Sequence, residues 1–153
     1  MALMTRWLNP DEQQTWRSFL TASRALMETL DRELQRDAGM PHAYYEILVR
    51  LSEAPRRRLR MSELAESSGS SRSRLSHAAA RLEAAGWIRR EECPTDRRGQ
   101  IAVLTDDGFA TLAAAAPGHV EGVRRHLFDA LSPAQVDQLR RISENLVAHL
   151  TGS

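Results

Sequence analysis

The chain contains no lysine: its 21 cationic side chains are all arginine, set against 20 carboxylates for a formal net charge of +1. Arginine and alanine are equally abundant, at 21 residues each, so the missing lysine reads as compositional bias and not as a function. There is one cysteine, Cys93, which excludes an internal disulfide framework and a cysteine-rich zinc site. No apolar run approaches the roughly 18–20 residues of a membrane span. The opening MALMTRWLNPDEQQ turns polar at once, unlike a secretory signal. The chain is therefore expected in the cytoplasm, away from any membrane. There is no phosphate-cradling glycine loop and no G-x-S-x-G. The five histidines form no evident ligand set with carboxylates. Neither an enzyme nor a bound metal or cofactor is expected.

What is present is enough for one domain: 153 residues, 42% hydrophobic. The charge is unevenly placed. Residues 50–98 hold 12 arginines against seven acidic residues, and the rest hold nine against 13. A basic middle between acidic flanks points to one polyanion-facing region carried on a separate scaffold.

Periodicity and caps divide the chain. Residues 11–37 carry a 3.6-residue apolar stripe from Trp16 to Leu34, with Asn9 as cap, Pro10 at the first helical position and Gly39 and Pro41 after the end. A second helix covers 42–53, and Arg56–Arg60 can hold a brief strand. Ser62 is expected to cap a third helix at 63–68, without a capping box because Ala65 stands three residues on. Ser70 or Ser71 caps a fourth at 72–85, with Leu75, Ala78, Ala79 and Leu82 inward. The period then changes to two. Residues 87–92 and 100–104 read as a hairpin around a long charged tip, 93–99. A long helix follows Thr105 to about residue 130, with a kink expected at Pro117-Gly118. Ser132-Pro133-Ala134-Gln135 opens a last helix to 150 with a capping box.

The order helix, turn, helix, strand, charged loop, strand is that of a winged helix-turn-helix, and it coincides with the basic segment. A recognition helix reaches base edges from its N-terminal turns. Here those turns offer Ser70, Ser71, Arg72, Ser73, Arg74, Ser76 and His77. Arginine can bond guanine bidentately, and serine suits phosphate or base. At the wing, Asp96 is placed to hold the side chain of Arg98 extended for a narrow minor groove, with Arg97 on phosphate. Solvated turn charges are the bland alternative.

At this point the chain resembles the MarR family of bacterial transcriptional regulators, in an actinobacterial-like branch. Pro94-Thr95-Asp96-Arg97-Arg98 with Leu104-Thr105 and Gly108 is similar to the family's wing signature, D-P-x-D-R-R-x-x-x-V-x-L-T-x-x-G. Met61-Ser62-Glu63-Leu64-Ala65 and Arg81–Ile88 also look like the family. Cys93 stands where the pattern has Asp, and Ala102 where it has Val. The resemblance implies a mainly α fold with a small β-hairpin wing and long N- and C-terminal dimerisation helices. It implies a single domain over 1–153, with a DNA-binding lobe at 42–104 and a helical dimerisation lobe at 5–40 and 105–150. It further implies a homodimeric repressor that binds double-stranded DNA at a pseudo-palindromic operator and is released by a small aromatic effector. Trp16, Arg17, His42, Tyr44 and Tyr45 are candidates to line that effector's site, with an ordinary core as the alternative.

Two readings stay open at this level. Arg56, Arg57, Arg58 and Arg60 are either phosphate contacts or a solvated loop. Arg81 is a surface residue or a partner of Glu83 or Glu63. A lone thiol such as Cys93 is inert unless its pKa is lowered. The competing function is a winged helix used for protein interaction or dimerisation, without a DNA role.

Overall fold

The computed structural model describes residues 4–152. They fall into two compact units: a terminal unit of residues 4–30 and 122–152, and a central unit of residues 31–121. Two helices, α1 (Pro10–Ala38) and α5 (Asp106–His126), contribute residues to both. No described helix is long and apolar enough to cross a membrane.

In the terminal unit, α1 begins as its cap residues dictate. The Asn9 side chain accepts the Glu12 N–H at 2.8 Å, and the Glu12 carboxylate accepts the Asn9 N–H at 2.9 Å. This reciprocal box satisfies two backbone donors that would otherwise be orphaned. The last helix, α6 (Pro133–Thr151), repeats the device with Ser132 and Gln135. Yet α6 buries no residue. Trp7 is 87% exposed and Leu150 79%, and Ile142 and Val147 are both 58% exposed.

The central unit holds the core. Its elements are the last turns of α1, then α2 (His42–Glu53), β1 (Arg58–Arg60), α3 (Met61–Ser68), α4 (Arg72–Ala84), β2 (Ile88–Cys93), β3 (Asp96–Leu104) and most of α5. Leu48, Leu51, Leu64, Ala79, Leu82 and Ala102 have no exposed surface, and join Met40, Leu75, Ile88 and Leu104 in one cluster. The strands form an antiparallel sheet in the order β1-β3-β2. Gly39 and Gly69 take left-handed φ values of 66° and 64° and turn the chain out of α1 and α3, where a side chain would be strained.

Three boundaries differ from the sequence reading. First, α3 starts at Met61, so Ser62 lies inside it: Arg60 is the cap residue, and the Glu63 carboxylate takes its N–H at 3.2 Å. Second, the wing tip is short. β3 resumes at Asp96, which pairs with Cys93, so only Pro94 and Thr95 form the turn. Between that pair and Glu92↔Gln100 the ladder slips, and Arg97, Arg98 and Gly99 are taken up in a bulge. Charges read as a loop are thus carried on a strand. Third, α5 passes through Pro117 as one helix and ends at His126, and Phe128–Ala130 is a separate 3-10 turn.

Where the wing joins α5, four residues meet closely. The Thr105 N–H donates to the Trp87 carbonyl at 3.0 Å, and its hydroxyl donates to the Gly86 carbonyl at 2.6 Å. The same hydroxyl accepts the Gly108 N–H at 3.0 Å, capping α5. A Cβ on Gly108 would lie 2.0 Å from the Trp87 carbonyl oxygen and 2.8 Å from a Leu104 methyl. Gly108→Ala is therefore expected to destabilise the fold by about 1–3 kcal/mol or more, although alanine is the better helix former. Thermal melts followed by circular dichroism test this; an unchanged midpoint would mean the Trp87 backbone can yield.

Candidate nucleic-acid interface

The surface of α4 follows from its periodicity. Leu75, Ala79 and Leu82 are buried and Ala78 half-buried, which turns Arg72, Ser73, Arg74, Ser76 and His77 outward. Ser71 is the cap: its hydroxyl accepts the Arg74 N–H at 3.2 Å, while Ser70 is half-buried in the preceding turn. The first turn holds no acidic residue. Its backbone N–H groups and its arginines therefore present positive potential without internal compensation.

The bulge sets the wing. The Asp96 carboxylate accepts the backbone N–H of Arg98 at 3.0 Å. The spacing of Asp96 and Arg98 suggests a grip on the Arg98 side chain; the structure shows the carboxylate on the backbone from which that side chain leaves. The bulge brings the Arg98 amide within reach of Oδ1, which satisfies the acid locally. Asp96, Arg97 and Arg98 are all exposed.

The arginines of the basic segment divide by partner. Arg57 lies 3.8 Å above the Phe109 ring and 3.8 Å from the Asp106 carboxylate. Arg58 meets Glu91 at 2.6 Å across the sheet, and Arg89 meets the same carboxylate at 3.0 Å. Arg90 pairs with Glu83 at 3.2 Å, and Arg81 makes no ion pair among the described residues. Arg60 donates to the Thr95 hydroxyl at 3.0 Å. Of the run 56–60, only Arg56 has no such tie, and it is exposed with φ at 58°. By contrast, Arg72, Arg74, Arg97 and Arg98 make no ion pair among the described residues. Arg72 and Arg98 open onto one cleft of about 410 Å³, shared with Arg60, Ser62, Ser76, Asp96 and Gln100. Arg74, His77 and Ser70 line a second groove, of about 390 Å³, with Tyr44 and Glu46.

Cys93 is buried at the wing tip, its sulfur 3.4 Å from the Thr95 hydroxyl. That hydroxyl, then the backbone amides of Thr95 and Asp96, draw the thiol below its usual range. Arg60 adds the smallest pull in the same direction.

The effector-site candidates separate. His42 and Tyr45 line a cavity of about 360 Å³ with Glu46, Val49, Arg50, Glu53 and His119. The Tyr45 and His119 rings lie 4.5 Å apart, and His42 and His119 5.4 Å apart. Arg50 Nε and His119 Nδ1 are buried there without a hydrogen-bond partner among the described residues. Burial, then the neighbouring His42, holds His119 below the usual histidine range. Tyr44 instead faces the Arg74 groove, and Trp16 and Arg17 belong to the terminal unit. Arg50 and His119 were missed in the sequence. Nothing local marks either, and α2 and α5 bring them together.

An antiparallel hairpin and an added strand packed on a helix-turn-helix make a winged-helix fold. A sequence model of the MarR family matches residues 38–99. Transcriptional repressor MprA of Escherichia coli (strain K12) is 31% identical over 125 residues, which are 82% of this chain and 70% of MprA. Among solved structures, Sco3205 of Streptomyces coelicolor, a MarR family transcriptional regulator in complex with DNA, is 55% identical with a TM-score of 0.92, covering 95% of this chain and 92% of that one. AbsC, a MarR family transcriptional regulator of the same organism, is 45% identical with a TM-score of 0.90, covering 97% and 100%. The chain belongs to the MarR family.

The cross-sheet pair gives a pH prediction. Arg89 first, then Arg58, holds the Glu91 carboxyl below the usual carboxylate range. A depressed carboxyl adds stability above the unfolded carboxylate pKa, lost as pH falls through the lower folded value. The thermal midpoint of wild type should therefore exceed that of Glu91→Gln at neutral pH. The two should converge in melts taken as pH falls below about 4.3, the ordinary glutamate pKa; a constant gap would refute the pairing.

Proposed function

We propose that the chain is a cytoplasmic, homodimeric DNA-binding regulator that acts as a repressor at a pseudo-palindromic operator. The observation that carries this is that Arg72 and Arg74 on α4 and Arg97 and Arg98 on the wing are exposed and make no ion pair among the described residues. An exposed guanidinium left without internal compensation is available to phosphate or guanine. In this reading 42–104 is the DNA-binding lobe. Ser70, Ser71, Arg72, Ser73, Arg74, Ser76 and His77 enter the major groove, Arg98 enters the minor groove, and Asp96 and Arg97 support the wing at the backbone. The likeness to Sco3205, solved in complex with DNA, and to MprA, a transcriptional repressor, supports it.

The dimerisation lobe is 5–40 with 105–150. Its support is the exposed apolar surface of α6 and of the N-terminal residues, which a monomer would leave in water. A two-fold dimer presents two recognition helices to half-sites about one helical turn apart. The cavity of His42, Tyr45, Arg50 and His119 is the proposed site of a small aromatic acid, with rings to stack on and two buried polar atoms to satisfy. Such a ligand acts only through differential affinity for the DNA-bound and released forms.

On a duplex selected by the protein from a random library, Arg74→Ala should cost about 1–3 kcal/mol and relax base preference. Arg98→Ala should weaken binding and reduce the salt slope by about one per lost contact, about two per dimer. Gel shifts over a salt series measure both; two unchanged variants would exclude this interface. Sedimentation equilibrium should give twice the chain mass, with Leu146→Arg shifting it toward monomer. A monomeric wild type would remove the dimer from the proposal.

A further inference from the structure

At the tip of its wing this chain departs from its family's signature at Cys93, where the pattern has aspartate. An aspartate at the first position of a tight turn accepts the backbone N–H groups that follow it. The tip here is such a turn, Cys93-Pro94-Thr95-Asp96, closed by the Cys93↔Asp96 pair. In place of a carboxylate it has a buried sulfur, and that sulfur has a hydroxyl beside it. The Thr95 hydroxyl lies 3.4 Å from Cys93 Sγ and accepts the Arg60 guanidinium at 3.0 Å. Arg60 is the cap residue of α3, so the three side chains link the tip of the wing to the first helix of the helix-turn-helix. The far side of the tip is closed as well. A Cβ built on Gly99 would touch Asp96 and Cys93 at 3.5 Å, so the bulge packs directly against the turn.

Resting on the DNA-binding reading, we propose that Thr95 is the positioning residue of the wing. By receiving Arg60 and facing the Cys93 sulfur, it ties the tip to α3 and sets the direction in which Arg98 leaves the bulge. Three observations converge on this role. Thr95 is exposed, so its hydroxyl could have stayed in water, yet it joins two residues 33 and 35 positions from one another or from itself along the chain: Arg60 to Cys93, and Arg60 to Thr95. Asp96 spends its carboxylate on the Arg98 N–H, so it does not supply this tie. The cleft between α4 and the wing is lined by Arg60, Arg72 and Arg98 together. Thr95 gives Arg60 an acceptor that carries no charge of its own, so the guanidinium is directed without the cleft being neutralised. Arg60 is therefore held toward the wing tip.

The test uses the full-length protein, Thr95→Val and Thr95→Ser, each alone and with Arg98→Ala. Valine keeps the shape and removes the hydroxyl; serine restores it. On the duplex selected by wild type, Thr95→Val should weaken binding roughly three- to tenfold, the effect of one hydrogen bond. Thr95→Ser should recover wild-type affinity to within about twofold. In the Arg98→Ala background, Thr95→Val should add nothing, because the residue acts through Arg98. A Thr95→Val protein that binds like wild type, or one whose loss is undiminished without Arg98, would overturn the proposal. A readout without DNA accompanies this. Hydrogen exchange at the Arg98 amide, protected by Asp96, should accelerate in Thr95→Val and not in Thr95→Ser, while the Ala102 amide in the same strand is unchanged. Equal exchange in all three proteins would overturn the proposal even if DNA binding failed. If exchange responds and wild type binds no duplex, the DNA reading falls and the wing tie stands.

Discussion

The base of the wing is held where Thr105, Gly86, Trp87 and Gly108 meet. One threonine both closes the hairpin, through the Trp87 and Gly86 carbonyls, and caps α5 through the Gly108 amide. A helix start and a strand end are thereby made by the same side chain, so neither can shift without the other. The cost is steric: the first turn of α5 comes so close to the Trp87 carbonyl that only a residue without Cβ fits. Everything outward of this point depends on it. The register of β2 on β3 carries Cys93 to Asp96, the slip in that register makes the bulge, and the bulge presents Arg97 and Arg98.

Electrostatic order is built on that frame. In a chain of almost zero net charge, carboxylates are distributed so that some arginines are neutralised and others are not. Glu91 takes Arg58 and Arg89, and Glu83 takes Arg90. These exposed pairs contribute little to stability individually. They pair off Arg58, Arg89 and Arg90 on the sheet, while Arg72, Arg74, Arg97 and Arg98 on α4 and the wing make no ion pair among the described residues. The proposed DNA-facing surface is thus defined as much by where acids sit as by where arginines do.

The terminal unit obeys a different constraint. Its helices are well capped, yet α6 buries nothing and its apolar side chains face water. Local helix formation there is satisfied, and tertiary burial is not. That imbalance is what a second copy of the chain would relieve under the dimeric reading.

Local rules operate over a few residues, and they were legible. The Asn9 and Ser132 caps, the α4 face and the existence of β1 follow from spacing and cap chemistry, and the observed elements match them closely. The wing signature and the basic segment also located the candidate interface. What was not legible depends on register. The expected long tip became a two-residue turn and a bulge because Asp96 bonds the next-but-one amide, an outcome composition alone does not select. The α3 start moved to Met61 because Glu63 reached back to Arg60. The sequence by itself determined the element order, the family and the place of the positive charge. The tertiary structure alone decided which arginines are neutralised, that Arg60 meets Thr95 across 35 residues, and that His119 joins His42 and Tyr45. Those pairings are set by how strands and helices are brought side by side, and no periodicity within one element contains that information.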